Sequence, residues 1–138
     1  MQSALDPDSV TLDLYKSVVE QAPDAVIYAD REGAVRIWNP AAAAIFGYAA
    51  AEVIGKSLDV IIPERFRAAH WAGFLKAVET GSTRYGDRVL TTRSMHRDGS
   101  KLYLDLSFGL IRDRDGVVAG VLAIGRNVTA LRSNPASR

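Results

Sequence analysis

The chain has 138 residues, no cysteine, and a net charge of +1 from 17 basic and 16 acidic side chains. The missing thiols exclude disulfides, thiolate metal centres, iron–sulfur clusters and cysteinyl photoadducts. The scattered, balanced charge gives no reason to expect a nucleic acid or an anionic membrane as a partner. No apolar run has the length of a membrane span and no signal-peptide pattern opens the chain, so we expect a single cytoplasmic domain.

The first quarter of the chain predicts an amphipathic helix followed by two strands. Asp8 or Ser9 can cap a helix whose apolar residues recur at spacings of three and four, and Pro23 ends it. Residues 25–30 and 34–38 predict strands, with a glycine-containing turn between them. We expect the helix to dock on the sheet or on a second copy of the chain.

Helices are predicted in the middle of the chain. Asn39-Pro40 combines an N-cap with a proline at the first helical position and predicts a helix over residues 41–46. Residues 50–55 predict one or two further turns that end at a glycine. Pro63 fits the first position of a longer helix, which runs to Gly81.

Three strands are predicted in the second half of the chain. Residues 84–95 alternate imperfectly, whereas residues 101–110 alternate cleanly between apolar and polar side chains. Residues 96–99 and 113–116 each end in Asp-Gly, a strong hairpin signal, and residues 117–126 form the last strand. Together these elements predict an α+β domain whose helices cover one face of the sheet and leave a pocket between them.

The histidine in the helix after Pro63 is the strongest candidate for chemistry. His70, Gly73 and Phe74 lie three and four residues apart and therefore share one helix face. A neutral imidazole can ligate a metal, and a nearby glycine leaves room for a flat ligand. In the alternative, His70 packs in the core or lies on the surface. Because no nucleophile–base pair, phosphate loop or carboxylate cluster is present, we do not expect an enzyme.

Six motifs carry a resemblance to a known family: Ala22-Pro23-Asp24-Ala25-Val26, Trp38-Asn39-Pro40-Ala41, Ile45-Phe46-Gly47-Tyr48, Glu52-Val53-Ile54-Gly55-Lys56, Arg97-Asp98-Gly99 and Gly125-Arg126-Asn127-Val128-Thr129. In this combination the chain resembles a PAS domain, a sensory module. The resemblance implies a five-stranded antiparallel sheet in the order 2-1-5-4-3. It also implies an ion pair between Glu52 and Arg97. The domain boundaries that follow are an N-terminal cap helix over 1–22, the sensor domain over 23–129 and a flexible tail over 130–138.

A narrower resemblance concerns Ile62-Pro63-Glu64-Arg65-Phe66-Arg67 with His70, Gly73, Phe74 and Leu75. This segment is similar to the haem-binding PAS domains of the FixL-type oxygen sensors. The resemblance implies that His70 is the proximal ligand of a b-type haem. It implies that Lys76 and Arg84 hold the haem propionates. The apolar walls of the haem pocket would be Leu104, Leu106, Phe108, Val121 and Ala123, closed by Ile54, Val60 and Ile61.

One position departs from the FixL pattern. The arginine that contacts bound oxygen in those sensors aligns with Leu90 in this chain. Because bound oxygen gains from a hydrogen-bond donor and carbon monoxide does not need one, the leucine argues against tight oxygen binding. Arg88, two residues earlier on the same predicted strand face, is the candidate replacement donor.

Two functions of different kinds follow from these residues. The first is a haem-based sensor of a diatomic gas or of redox state. The alternative is a cofactor-free PAS module for dimerisation or for binding a small metabolite. A flavin-binding redox sensor is a third hypothesis, without a supporting residue pattern. The expected partners are a small ligand, a second copy of the chain in a homodimer, and an output signalling protein or domain.

Overall fold

The computed structural model describes residues 7–83 and 86–133 of the chain. Helices and strands follow one another in this order: α1 Pro7–Gln21, β1 Ala25–Asp30, β2 Val35–Trp38, α2 Pro40–Phe46, α3 Ala50–Val53, a 3₁₀ helix Leu58–Ile61, α4 Glu64–Thr80, β3 Leu90–Met95, β4 Lys101–Arg112, β5 Val118–Asn127 and α5 Thr129–Ser133. Within these ranges, no helix has both the length and the apolar content needed to cross a bilayer.

The five strands form one antiparallel sheet in the order β2-β1-β5-β4-β3. This confirms the predicted α+β class and the strand order that the family resemblance implies. The order places β5, the last strand, in the centre between β1 and β4. β5 therefore pairs with two strands, and α5 follows it directly in the chain.

The core lies between the helices and one face of the sheet, here called the inner face. The predicted alternation of β4 is confirmed, because Leu102, Leu104 and Leu106 are buried on this face while Tyr103 and Asp105 point to the other. Leu104 is only 1% exposed. Helices α2 and α3 and the 3₁₀ helix contribute the facing side chains, which are Ala42, Phe46, Val53 and Ile61.

The predicted N-cap of α2 is confirmed, and it does more than cap. Asn39 Oδ1 accepts hydrogen bonds from the backbone N–H of Ala42 at 3.1 Å and of Val26 at 2.9 Å. Its Nδ2 group donates to the carbonyl oxygens of Val19 at 3.0 Å and Asp24 at 3.1 Å. One amide that is 1% exposed thus joins α1, β1 and α2.

The ion pair implied by the resemblance is present. The Arg97 Nη1 donates to Glu52 Oε2 at 2.5 Å, and the guanidinium also lies 5.2 Å from the centroid of the Tyr48 ring. Hydrogen bonds from the Ala49 N–H and from Arg97 lower the pKa of Glu52. These contacts fasten the turn between β3 and β4 to the short helices beside it.

Several boundaries differ from the sequence predictions, three of which bear on the site or on the domain limits. Pro63 precedes α4 as its N-cap with an extended ψ of 140°, and its carbonyl accepts the Phe66 N–H at 2.9 Å, so the helix begins at Glu64. The strand predicted from residue 84 begins only at Leu90. Residues 130–133, assigned above to the flexible tail, belong to α5.

Candidate functional site

His70 lies on α4 among aromatic rings. Its imidazole centroid is 4.6 Å from the Trp71 ring and 6.1 Å from the Phe74 ring, and Trp71 and Phe74 are themselves 5.2 Å apart. The imidazole is half-buried, and its Nδ1 atom is buried without a hydrogen-bond partner in the described part of the chain. A buried polar atom of this kind is costly unless something else satisfies it.

The neighbouring tryptophan fixes a carboxylate close to this ring. Trp71 Nε1 donates to Asp59 Oδ1 at 2.7 Å, and the same oxygen lies 3.9 Å from Arg67 Nε. Asp59 belongs to the 3₁₀ helix, whose Ser57 cap accepts the Asp59 N–H at 3.1 Å. We call His70, Trp71, Phe74 and Asp59 the His70 cluster.

A glycine makes room for this cluster on the turn between β1 and β2. Gly33 is buried and has a φ of +84°, and a Cβ atom there would lie 2.3 Å from the Trp71 ring. Any larger residue would therefore be strained and would displace the indole. Trp71 thus anchors α4 to the turn between β1 and β2.

Burial lowers the pKa of the His70 imidazole below its ordinary 6.5, and the negative charge of Asp59 opposes this shift. The imidazole is therefore neutral near pH 7. Neutral imidazole is the form that ligates a metal.

The lowered pKa of His70 predicts a loss of stability on the acid side. Below 6.5 the unfolded chain takes up a proton that the folded chain resists, so the free energy of unfolding falls as the pH falls through 6.5 toward the lower pKa of the folded chain. His70→Phe removes this loss. Thermal unfolding followed by circular dichroism is expected to show the Tm of the variant rising relative to wild type as the pH falls. A Tm difference that is independent of pH would contradict the assignment.

The apolar side chains predicted to line a haem pocket share the inner face, but they are closely packed. Leu104 and Leu106, with the partly buried Phe108 and Ala123, belong to the core that α2, α3 and the 3₁₀ helix cover. Val121 packs in a second cluster, with Phe74. Of the three residues predicted to close the pocket, Ile61 is 7% exposed and Val60 packs on the core, whereas Ile54 is 41% exposed.

The described structure includes two of the three predicted basic residues. Lys76 is exposed on α4, and Arg84 lies outside the described residues. Arg88 is exposed and precedes β3, so its predicted position on the strand face of Leu90 is wrong. Leu90 itself is partly buried and pairs with Leu106 across the β3–β4 ladder, which places it beside the proposed pocket wall.

The donor set is consistent with a metal held mainly by a cofactor. Within residues 7–83 and 86–133, no group of three or more His, Asp or Glu side chains converges to hold a metal ion. His70 offers one imidazole, which is enough for haem because the porphyrin provides the other ligands. The chemistry of His70 therefore fits haem, while the packed inner face requires Leu104 and its neighbours to move apart.

The sequence predicts a pocket between the helices and the sheet, whereas the described residues form a groove on the opposite face of the sheet, here called the outer face. It has a volume of about 640 Å³ and an apolar lining. Its walls come from α1, β1 and β5, among them Val18, Val19, Val26, Tyr28, Leu122 and Ile124. Burial raises the pKa of Tyr28, and the Asp30 carboxylate raises it further.

The sequence did not predict that Asp59 joins the His70 cluster, nor that Asn39 contacts more than the helix it caps. Asp59 follows no catalytic spacing and comes close to Trp71 only because the 3₁₀ helix turns the chain there. Asn39 was predicted as a cap, and its hydrogen bonds to α1 and β1 span sequence separations that local patterns do not encode. The signal in the sequence that points to Asp59 is the segment Ser57-Leu58-Asp59, because its serine can cap a turn.

Comparisons with known proteins agree with this geometry. A family model described as the PAS fold matches residues 13–128. The sensor protein FixL of Bradyrhizobium diazoefficiens is 29% identical over 97 residues, which are 68% of this chain and 19% of FixL. The oxygen sensor protein DosP of Escherichia coli is 29% identical over 98 residues, 71% of this chain and 12% of DosP.

The fold has solved counterparts. The PAS domain of a protein from Colwellia psychrerythraea superposes with a TM-score of 0.74 at 21% identity, covering 87% of this chain and 98% of that domain. The chain spans less than a fifth of FixL or of DosP. Because the family model covers most of its length, this chain belongs to the PAS family.

Proposed function

We propose that this PAS domain is a signal-sensing module, and not an enzyme, that binds b-type haem through His70. The observation that carries the proposal is the half-buried imidazole, held among aromatic rings, whose Nδ1 atom has no partner in the described chain. The similarity to FixL and DosP, one named a sensor and the other an oxygen sensor, supports it.

The chain's own residues have distinct parts in this proposal. With haem bound, His70 would ligate the iron, Lys76 and Arg84 would neutralise the propionates, and the apolar side chains of β4 and β5 would exclude water. When bound, haem supplies an iron centre that takes a diatomic gas or changes its redox state. Leu90 offers no hydrogen-bond donor, so the proposed site favours carbon monoxide over oxygen.

A hydrogen-bonded connection leads from the core to the C-terminal helix. The Tyr103 N–H donates to Thr129 Oγ1 at 2.9 Å, and the Val128 N–H donates to the Tyr103 carbonyl at 2.8 Å. Tyr103 stands between Leu102 and Leu104, which face the core. A shift of β4 on ligand binding would therefore move the start of α5 and reach an output protein or domain.

Absorption spectroscopy tests the proposed gas response. The purified protein is supplied with haem and reduced with dithionite, and spectra are recorded before and after carbon monoxide. We expect a Soret band that carbon monoxide shifts reversibly, and a much weaker response to oxygen. Haem-supplied protein whose spectrum matches free haem and does not respond as a bound species would contradict the proposal.

The outer groove supports a second candidate function, a cofactor-free module that dimerises. Leu12, Leu14 and Tyr15 of α1 are each more than 60% exposed, beside an apolar groove of about 640 Å³. Exposed apolar patches of this kind mark interaction sites. A second copy fits both surfaces, because each copy supplies an apolar helix and an apolar groove.

Dimerisation through α1 predicts that the mass of the protein in solution falls when the exposed face of α1 is altered. Leu14→Lys places a charge on the exposed face of α1 and is expected to weaken dimer association at least tenfold. At concentrations where the wild-type protein is a dimer, the variant is then expected to be a monomer. Leu75→Lys, at a 53% exposed position on α4, is the matched control and leaves the dimer intact. Sedimentation velocity measures both variants. A monomeric wild-type protein, or equal association of all three proteins, would contradict dimerisation through α1.

A further inference from the structure

A continuous row of arginine and aromatic side chains crosses α4, β3, β4 and α5. Arg65 Cζ lies 4.7 Å from the centroid of the Phe66 ring, and Arg93 Cζ lies 6.0 Å from the same centroid. Arg93 Cζ is also 5.9 Å from the Tyr103 ring, which Arg132 Cζ approaches to 5.4 Å. We call Arg65, Phe66, Arg93, Tyr103 and Arg132 the arginine–aromatic strip.

Two guanidinium groups of the strip lack an acidic partner. Among the described residues, no carboxylate lies within ion-pair distance of Arg65 or Arg93. The Nε atom of Arg93 is buried and donates to no acceptor in the described ranges. By contrast, four other arginines of these ranges form ion pairs with Asp or Glu. Arg65 and Arg93 therefore carry positive charge that no ion pair within the described residues neutralises.

Stacking prepares these groups for a particular partner. A guanidinium held over a ring loses less conformational freedom when it binds, and its terminal Nη groups can still donate hydrogen bonds. Carboxylates match these groups in shape and charge. The rings already contact guanidinium groups and are poorly placed to stack on nucleobases, which disfavours single-stranded nucleic acid.

We propose that the arginine–aromatic strip is a docking surface for an acidic segment of a partner polypeptide. Charge complementarity assigns the occupant, since neither Arg65 nor Arg93 has a carboxylate within ion-pair distance among the described residues. The position of the strip determines which elements a bound partner would touch. Tyr103 is the residue whose backbone holds Val128 and Thr129, so a partner on the strip touches both β4 and the start of α5.

Fluorescence anisotropy with a labelled oligoglutamate peptide tests the proposal. We expect saturable binding at low ionic strength that weakens as salt is added. The double variant Arg65→Gln/Arg93→Gln is expected to bind about tenfold more weakly, since two charge-assisted contacts are lost. Arg114→Gln, an exposed arginine in the turn between β4 and β5, is the matched control and retains wild-type affinity.

Several results would overturn the proposal. One is absence of oligoglutamate binding by folded wild-type protein. Another is equal affinity of the double variant and wild type, with circular dichroism confirming that both are folded. A labelled single-stranded DNA oligonucleotide is the third arm, and tighter binding of DNA than of oligoglutamate would assign the strip to nucleic acid instead. Because Arg65 is exposed, Arg65→Gln alone remains a usable variant if the double variant does not fold.

Discussion

Replacing Asn39 with alanine is expected to lower the free energy of unfolding by about 3–5 kcal/mol, through loss of a cap and loss of buried hydrogen bonds. Its side-chain oxygen accepts from the N–H groups of Val26 and Ala42, and its amide donates to the carbonyls of Val19 and Asp24. Since the site is buried, water does not replace these contacts. This is the largest stability effect that we expect from a single polar substitution.

Urea unfolding followed by circular dichroism measures the effect. Asn127→Ala is the matched control, because the exposed Asn127 side chain accepts the Thr129 N–H at 2.9 Å and its loss is expected to cost about 1 kcal/mol or less. Asn39→Asp is not expected to rescue, since a carboxylate oxygen would face the carbonyls of Val19 and Asp24. Equal losses for Asn39→Ala and Asn127→Ala would show that Asn39 is not the junction described here.

Replacing His70 with alanine is expected to weaken haem binding by more than about 100-fold, because even residues that only support a metal ligand cost 10–100-fold when they are lost. Haem titration followed by the Soret band measures the change. His70→Phe keeps a ring beside Trp71 and Phe74 and separates loss of the ligand from loss of packing. His96→Ala is the control, since its imidazole lies at the β3–β4 turn, where Nδ1 accepts the Asp98 N–H at 3.1 Å.

The histidine variants divide the possible outcomes. If His70→Phe is folded and loses haem while His96→Ala retains it, His70 is the ligand. If both His70 variants bind haem as wild type does, another group holds the iron and the proposal is wrong. If His96→Ala alone loses haem, the ligand is the histidine that the sequence comparison did not select.

The sheet was predictable from local pattern, as β1 and β4 illustrate. Residues 25–30 were predicted as a strand and form one over the same range, and the clean alternation of β4 placed Leu104 on the buried face. Period-two alternation survives folding because one face is buried and a slip by one residue would expose it. The order of the strands came from the family resemblance, and no local pattern supplies it.

The candidate site was predictable only as single residues. Helical spacing placed His70 and Phe74 on one face, and their rings lie 6.1 Å apart. Asp59 was missed because its approach to Trp71 depends on how the 3₁₀ helix meets α4. Whether a pocket opens beside Leu104 depends on packing with Phe46 and Val53, which are contacts between distant segments that no sequence period records.

We propose that the His70 imidazole binds haem iron between α4 and the sheet. Titration of haem into the purified wild-type protein tests it most directly. The account predicts a Soret band distinct from that of free haem, which grows until one haem is bound per chain and then stops. A spectrum that remains that of free haem at every ratio would contradict it.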